Sequence, residues 1–495
     1  MPDRAVAGQR WEIFCRVIDN LGDIGVCWRL ARQLADEQGA QVRLWLDQPE
    51  AIQPLWGQAL RSVELDGEGR VVMPQAIAAR YGGAITILHW SAEHFDRAAD
   101  CESRAQWPQI VLEGFGCGVP PGYARALAGR AKADPEAAVR WIVLEYLSAE
   151  PWVRDFHGRV SPHPKTGSER FFYFPGFDAD TGGLLREADL SARRDAFDAL
   201  ARERAWQARG FAAPDAERFV VSIFAYPDAP VAQWIEGLSQ ATGHAGESAA
   251  AAAGSVAVAP TGEVTGKVPE VAAGGPRLAV GHGSSVLAVA PGALSERLHA
   301  RYPAGRHGAL ELRYLPYVEQ IAFDDILWAS DLNIVRGEDS FVRAQWAAKP
   351  FIWHIYPQAE EAHRVKLDAF LDRYCEGMSE VLARAVRTLW HGFNRMSPHK
   401  GSSIGEESMP GAGGGIVKSG PSSEVGHDDR ALPSRSGGAA PAGLPQAIEH
   451  WTEWCTHARR WAQTLESQAD LASALAQFCQ DKLKSQVISS SQDSA

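Results

Sequence analysis

Two short stretches of the chain concentrate the side chains that could do chemistry. In Asp19-Asn20-Leu21-Gly22-Asp23 two carboxylates close an apolar run, with glycines at 22 and 25. Such a pair can accept a proton, hold a cationic acceptor through paired hydrogen bonds, or cap the helix that follows. In Arg336-Gly337-Glu338-Asp339-Ser340 a guanidinium stands beside two acids and a hydroxyl. Arg336 has the fork geometry that grips a phosphate. With Asp339 or Ser340 as its cap, the next helix would also turn backbone N–H groups and its positive dipole end toward an anion. Glu338 suits sugar hydroxyls and not a phosphate, so the mixed turn reads as a nucleotide-sugar site. Spacing alone leaves two alternatives open: Asp19 and Asp23 as helix caps, and Arg336 in a structural ion pair with Glu338 or Asp339.

Weaker candidates surround these. Phe224 and Tyr226 alternate at a strand end and could line a cleft or pack into a core. Tyr356 follows the strand Phe351–Ile355, where ends of strands face a cleft. Asp178-Ala179-Asp180 has the form of a metal-holding acidic triplet, but beside Thr181-Gly182-Gly183 it reads as a solvated turn. His354 and His363 lack the i, i+4 spacing of a helical zinc pair. No Walker motif is present, and Gly114-Phe115-Gly116-Cys117-Gly118 lacks the full dinucleotide fingerprint, which disfavours a dehydrogenase.

The elements that must position these residues alternate. Strands are expected at Trp11–Ile18, Gln41–Leu46, Ala84–His89, Gln109–Leu112 and Trp141–Leu144, with a helix at Gly25–Glu37. After about residue 187 the alternation restarts. Strands are expected at Phe219–Phe224, Ser285–Ala290, Leu310–Leu315, Asp331–Val335 and Phe351–Ile355. Helices fall near Val318–Ala329, Ser340–Ala348 and Gln358–Leu371. Two such units imply two Rossmann-like domains with parallel sheets, facing a cleft. Residues about 239–279 are dominated by Ala, Gly, Val and Ser, and about 397–446 by Gly, Ser and Pro; both read as flexible insertions. Helical spacing resumes at Ile448–Leu465 and Asp470–Lys484, and a terminal helix there could return to the first domain.

Composition narrows the class. The 495 residues are 45% hydrophobic, enough for two sizeable cores. A net charge of −12 argues against general nucleic-acid binding. Seven scattered cysteines without a C-x-x-C pair fit reduced thiols, not a disulfide frame or zinc site. No apolar run approaches a membrane span and Met1–Arg10 has no signal-peptide core, so a cytoplasmic location without membrane contact is expected.

The run Asp19–Leu34 closely resembles the N-terminal signature of the EarP family, protein-arginine rhamnosyltransferases that modify translation elongation factor P. The resemblance continues in Leu144–Glu150, Phe174–Phe177, Thr181–Glu187, Arg336–Trp346 and Lys349–Gln358, and covers most of the chain outside the two insertions. It departs from the family pattern at Leu21, usually Phe, and at Ala225 and Pro227 beside Tyr226. The resemblance implies a GT-B glycosyltransferase: an acceptor domain over 1–186, a nucleotide-sugar domain over 187–447 and C-terminal helices over 448–486 packing back on the first. It implies inverting transfer of rhamnose from dTDP-β-L-rhamnose to an arginine of elongation factor P, with no cofactor and no metal. Catalytic roles fall by motif on Asp19, Asp23 and Glu338. Donor contacts fall on Arg336, Asp339, Ser340 and Tyr356, nucleobase contacts on Gln320 and Phe323, and an aromatic pair on Phe224 and Tyr226. A GT-B transferase with another nucleotide-sugar and acceptor, or a non-catalytic nucleotide-sugar-binding protein, would share much of this pattern.

Overall fold

The computed structural model describes residues 8–90, 107–134, 138–240, 285–358, 362–395 and 441–492. Most of both insertions therefore lies outside the described residues. Of their expected ends, 239 and 240 close the helix Val231–Gln240, and the helix Leu444–Glu449 already begins inside the second.

The first half builds a seven-stranded sheet of order β3-β2-β1-β4-β5-β7-β6. Its strands are β1 (Arg10–Cys15), β2 (Gln41–Leu46), β3 (Ile85–His89), β4 (Ile110–Gly114), β5 (Arg140–Leu144), β6 (Val160–Pro162) and β7 (Glu169–Tyr173). All pairings are parallel except that of the edge strand β6 with β7. Alternation along β1 sends Ile13 to one face, with Leu30, Leu34 and Leu44, and Phe14 to the other, with Trp45, Tyr123 and Trp141. Both faces are buried, as a parallel sheet requires.

The second half builds a six-stranded sheet of order β10-β11-β9-β8-β12-β13. Its strands are β8 (Phe219–Ile223), β9 (Ser285–Val289), β10 (Gly305–His307), β11 (Leu310–Tyr314), β12 (Leu332–Arg336) and β13 (Phe351–His354). Only the β10–β11 hairpin is antiparallel. This is the expected architecture, two Rossmann-like sheets, with short β6, β7 and β10 added.

The halves are welded. The core of the second sheet takes in Leu147, Phe177, Leu184 and Leu190 from the segment leaving the first. In return the last helix, Leu471–Gln492, places Leu471, Leu475 and Cys479 in the core of the first sheet beside Trp28 and Leu34. Arg29, on the helix Asn20–Gln38, is fully buried; its Nε lies 2.7 Å from Asp339 and its NH1 2.8 Å from Glu187. Glu187 turns its second oxygen to Arg343, 2.6 Å away, and Arg343 pairs in turn with Asp324. A buried cluster of alternating charge therefore crosses the domain junction. Each ion in it has an opposite partner, the condition for charges to sit inside a protein.

Candidate active site

The first acidic turn forms because β1 stops early. The strand was expected to reach Ile18 but ends at Cys15, since the next N–H groups leave the sheet for carboxylates. Val17 N–H donates to Asp47 at 2.9 Å; Ile18 and Asp19 N–H donate to Asp23 Oδ2 at 2.8 and 2.9 Å. The helix starts at Asn20, five residues before the expected Gly25. Asp19 occupies the N-cap position without a side-chain capping bond, so its carboxylate is not spent on the helix. Asp23 holds the turn together with one oxygen; its other oxygen accepts a long 3.4 Å contact from Tyr146.

The second turn closes over the first. Gly337 has φ +59, and a Cβ there would lie 2.9 Å from Asp19 Oδ2 and 3.6 Å from the Gly22 Cα. Gly22 is as constrained, because its own Cβ would fall 2.4 Å from Asp19 Oδ2. Glycine at both positions lets two backbones from different domains approach around one carboxylate. Tyr226, just beyond β8, donates its hydroxyl to Asp19 Oδ2 at 2.6 Å. Arg336 NH1 stands 3.8 Å from Asp19 Oδ1, and its guanidinium is sandwiched at 4.7 and 4.6 Å from the rings of Phe224 and Tyr226.

Glu338 completes a trio of acids. Its Oε2 accepts the Leu147 N–H at 3.0 Å and its Oε1 faces Lys366 Nζ at 2.9 Å. Burial raises the Asp19 carboxyl, with Arg336 and the Tyr226 hydroxyl opposing. Burial pushes Asp23 up to about 6 against the two backbone N–H groups that lower it, with Asp19 and Glu338 adding repulsion. Burial likewise raises Glu338, with Lys366 pulling it back.

A cavity of about 160 Å³ opens on these acids, lined by Asp19, Asp23, Tyr146, Glu338, Tyr356 and Lys366 among others. On the other side of Asp19 and Arg336 lies a second, mainly apolar cleft walled by Phe224, Tyr317, Gln320, Phe323, Asp339 and Ser340. Phe224 and Phe323 meet there edge-to-face at 5.8 Å. Asp19 lines both the cavity of acids and the cleft of aromatics, and Arg336 lines the cleft beside it.

Of the catalytic and donor candidates, all but Tyr226 line one of these two spaces, and Tyr226 reaches Asp19 between them; not all have free groups. Both oxygens of Asp339 are occupied, by Arg29 and by Gln320 Nε2 at 2.7 Å. Gln320 is equally committed, donating to the Gly25 carbonyl at 2.8 Å and accepting from Arg32 at 2.7 Å. Ser340 does not cap its helix; its hydroxyl donates to the Arg336 carbonyl and accepts Arg336 N–H at 3.2 Å, buttressing the arginine. No side chain caps the helix Asp339–Trp346, so its first N–H groups stay available. Tyr356 stays 40% exposed at the rim of the acidic cavity and touches Tyr226 edge-on at 5.5 Å. Asp178 pairs with Arg154 and Arg373, and its turn is structural. Buried His354 accepts the Tyr226 N–H at 3.2 Å, and burial lowers its imidazole to about 4. Among the described residues no His, Cys, Asp and Glu cluster of metal-holding geometry occurs.

Comparison with known proteins then decides the family. The family model for the elongation factor P rhamnosyltransferase EarP matches residues 11–480. The chain belongs to the EarP family. Two members named protein-arginine rhamnosyltransferase are similar over nearly their whole length. One, from Pseudomonas putida, is 34% identical and covers 96% of this chain and 99% of its own; the other, from Pseudomonas aeruginosa, is 35% identical with the same coverage. A solved EarP structure, described as the basis for arginine glycosylation of elongation factor EF-P, superposes with TM-score 0.51 at 26% identity. It spans 95% of this chain and 99% of that one. EarP membership makes the chain a glycosyltransferase, and its two sheets are the two lobes of the GT-B fold.

Lys366, Tyr146 and Tyr317 were missed by the sequence reading. Tyr146 lies inside Leu144–Glu150, a stretch that bore the EarP resemblance, and its position after β5 could have flagged it. Lys366, midway along the helix Ala362–Tyr374, has no local signal. Among the described residues no helix is long and apolar enough to cross a membrane.

Proposed function

We propose that the protein transfers L-rhamnose from dTDP-β-L-rhamnose to the guanidinium of an arginine in translation elongation factor P, with inversion at the anomeric carbon. The observation that carries this reading is the position of Asp19, facing a cavity of acids on one side and Arg336 on the other. The acidic cavity suits a cationic acceptor; the aromatic cleft suits a nucleoside whose diphosphate reaches Arg336. The names of the EarP relatives support arginine and rhamnose as acceptor and sugar.

In this reading Asp19 and Asp23 bind the guanidinium by charge-assisted hydrogen bonds and aim one nitrogen at the anomeric carbon. The N–C bond forms as the bond from that carbon to the diphosphate oxygen breaks, and dTDP leaves with the electron pair. Asp19 takes the proton given up by the nitrogen. One base acting opposite the leaving group produces inversion in a single displacement. Arg336 and the uncapped start of the helix Asp339–Trp346 meet the charge on the departing diphosphate. Glu338 fixes the sugar hydroxyls, with Tyr356 at the rim. Phe323 and Phe224 flank the base, and Gln320 reaches it with the one lone pair left on its oxygen. Asp339 acts on the donor indirectly, by anchoring Gln320 and Arg29. In this reading Arg336 and the helix start do at the diphosphate what a metal would otherwise do.

The test is mass spectrometry of purified elongation factor P after incubation with the protein and dTDP-β-L-rhamnose. A gain of one deoxyhexose on an arginine, abolished in Asp19→Asn, is expected. Unmodified elongation factor P with the wild-type protein would overturn the reading; full transfer by Asp19→Asn would remove Asp19 as the base.

A further inference from the structure

The acidic cavity holds a resident cation. Lys366 reaches it from the helix Ala362–Tyr374 and is only 11% exposed at its side chain, against 13% for Glu338, its partner at 2.9 Å. Its ammonium also lies 5.5 Å from the ring of Tyr146, which stacks on Phe115 at 4.5 Å and so has a fixed plane. A lysine is an odd lining for a space that is to receive a guanidinium, since like charges repel. The oddity resolves when the acids are considered together.

Three carboxyls line the cavity, and a fourth stands near enough to Glu338 to repel it. Asp19 and Asp23 come from the turn after β1, Glu145 follows β5, and Glu338 precedes the helix Asp339–Trp346. The groups that face Glu338 are Asp19 and Asp23 from the first turn, Glu145 and Tyr146 after β5, and Lys366 from the opposite helix. Lys366 is the cation among them. Acids this close and this buried share protons unless a counter-charge holds them apart. A protonated Glu338 would present a donor where the Leu147 N–H needs an acceptor. An ionised Glu338 without Lys366 would be a competing bidentate seat for the incoming guanidinium, away from Asp19.

We propose that Lys366 is a positioning residue of the transfer reaction: by occupying Glu338 Oε1 it keeps that acid ionised on the cavity wall and leaves Asp19 and Asp23 as the seat for the acceptor guanidinium. The inference rests on the acceptor reading given above. Lys366 acts through Glu338 and makes no bond to reacting atoms.

The experiment is the pH profile of rhamnosyl transfer for the wild-type protein, Lys366→Met and Lys366→Arg, with dTDP affinity measured in parallel as a check on folding. In Lys366→Met the acid limb of kcat moves up by about one pH unit or more, the size of a lost opposite charge. Its rate at neutral pH falls about tenfold or more, as for a displaced reacting pair, while dTDP affinity is unchanged. Lys366→Arg restores the acid limb. A Lys366→Met profile superimposable on wild type overturns the proposal, as does a rate loss with no movement of the limb. Should Lys366→Met not fold, the pair Glu338→Gln and Glu338→Gln/Lys366→Met decides, because no unpaired buried charge is left in the double variant. Equal activity in these two supports action through Glu338, and a further loss in the double variant overturns it. Absence of transfer by the wild type would instead fail the acceptor reading itself.

Discussion

Single side chains here carry conflicting duties. Asp23 ties the first turn with Oδ2 yet sits where burial and its acidic neighbours push its carboxyl up to about 6. Because the folded state holds that proton more tightly than the unfolded chain, with its ordinary value near 3.8, stability falls as pH rises from about 4 to about 6. The penalty at neutral pH reaches at most about 3 kcal/mol, from roughly two pKa units at 1.36 kcal/mol each. Asp23→Asn is therefore expected to resist urea better than wild type at pH 7 while losing transfer, and equal stability of the two would refute the strain. The same ionisation sets activity in the opposite direction, so kcat/KM should climb with pH through about 6. Arg336 is the other doubly used group, counter-charge for Asp19 and, under the proposed function, cation for a diphosphate. Calorimetry on Arg336→Ala should show dTDP bound about 10- to 100-fold more weakly, the worth of a charged hydrogen bond lost. Unchanged affinity would end its donor role.

At the scale of elements, the decisive parts are two turns and one buried charge cluster. The turns were legible: an apolar run ending in acids and glycines, and a strand opening into an Arg-Gly-Glu-Asp-Ser helix start, are patterns that backbone and side-chain chemistry write locally. Their detail was not. Nothing in the spacing shows that Asp23 accepts the N–H groups of Ile18 and Asp19 and so ends β1 at Cys15. Nor does spacing show that Ser340 would buttress Arg336 instead of capping. The cluster of Arg29, Glu187, Asp324, Asp339 and Arg343 was illegible, because its members are up to 314 positions apart and only the folded chain assembles them. Asp339 lines the cleft, and its pairing with Arg29 could not be read from the sequence. Arg29→Met strands Glu187 and Asp339 with less than their full complement of charge. It should lower unfolding free energy by about 3–5 kcal/mol in chemical denaturation, the cost of half a buried pair. A change below about 1 kcal/mol, the range of exposed pairs, would contradict that account.

Across the whole molecule, the alternation of strands and helices foretold two sheets because each β-α unit buries its own apolar pattern. The strands β6 and β10 escaped because three residues carry too little periodicity; β7 was missed although it is as long as most strands that were expected. The final helix returns to the first domain through Leu471, Leu475 and Cys479, none of them exposed beyond 2%. Leu475→Ala should cost about 2–5 kcal/mol of stability, the usual loss for such a core leucine. It should leave dTDP affinity alone, since Leu475 does not line the cleft; weaker dTDP binding would show that this strap also sets the lobes. One contact ties all scales together. The hydrogen bond from Tyr226 to Asp19 runs from one lobe to the other, so the surroundings of the proposed base are complete only when the lobes are in register. Under the proposed function, an activated sugar held by the donor lobe alone stands apart from Asp19, and water has no help in stealing it. The architecture thereby acts as an interlock, making waste of the donor harder without any residue set aside to guard it.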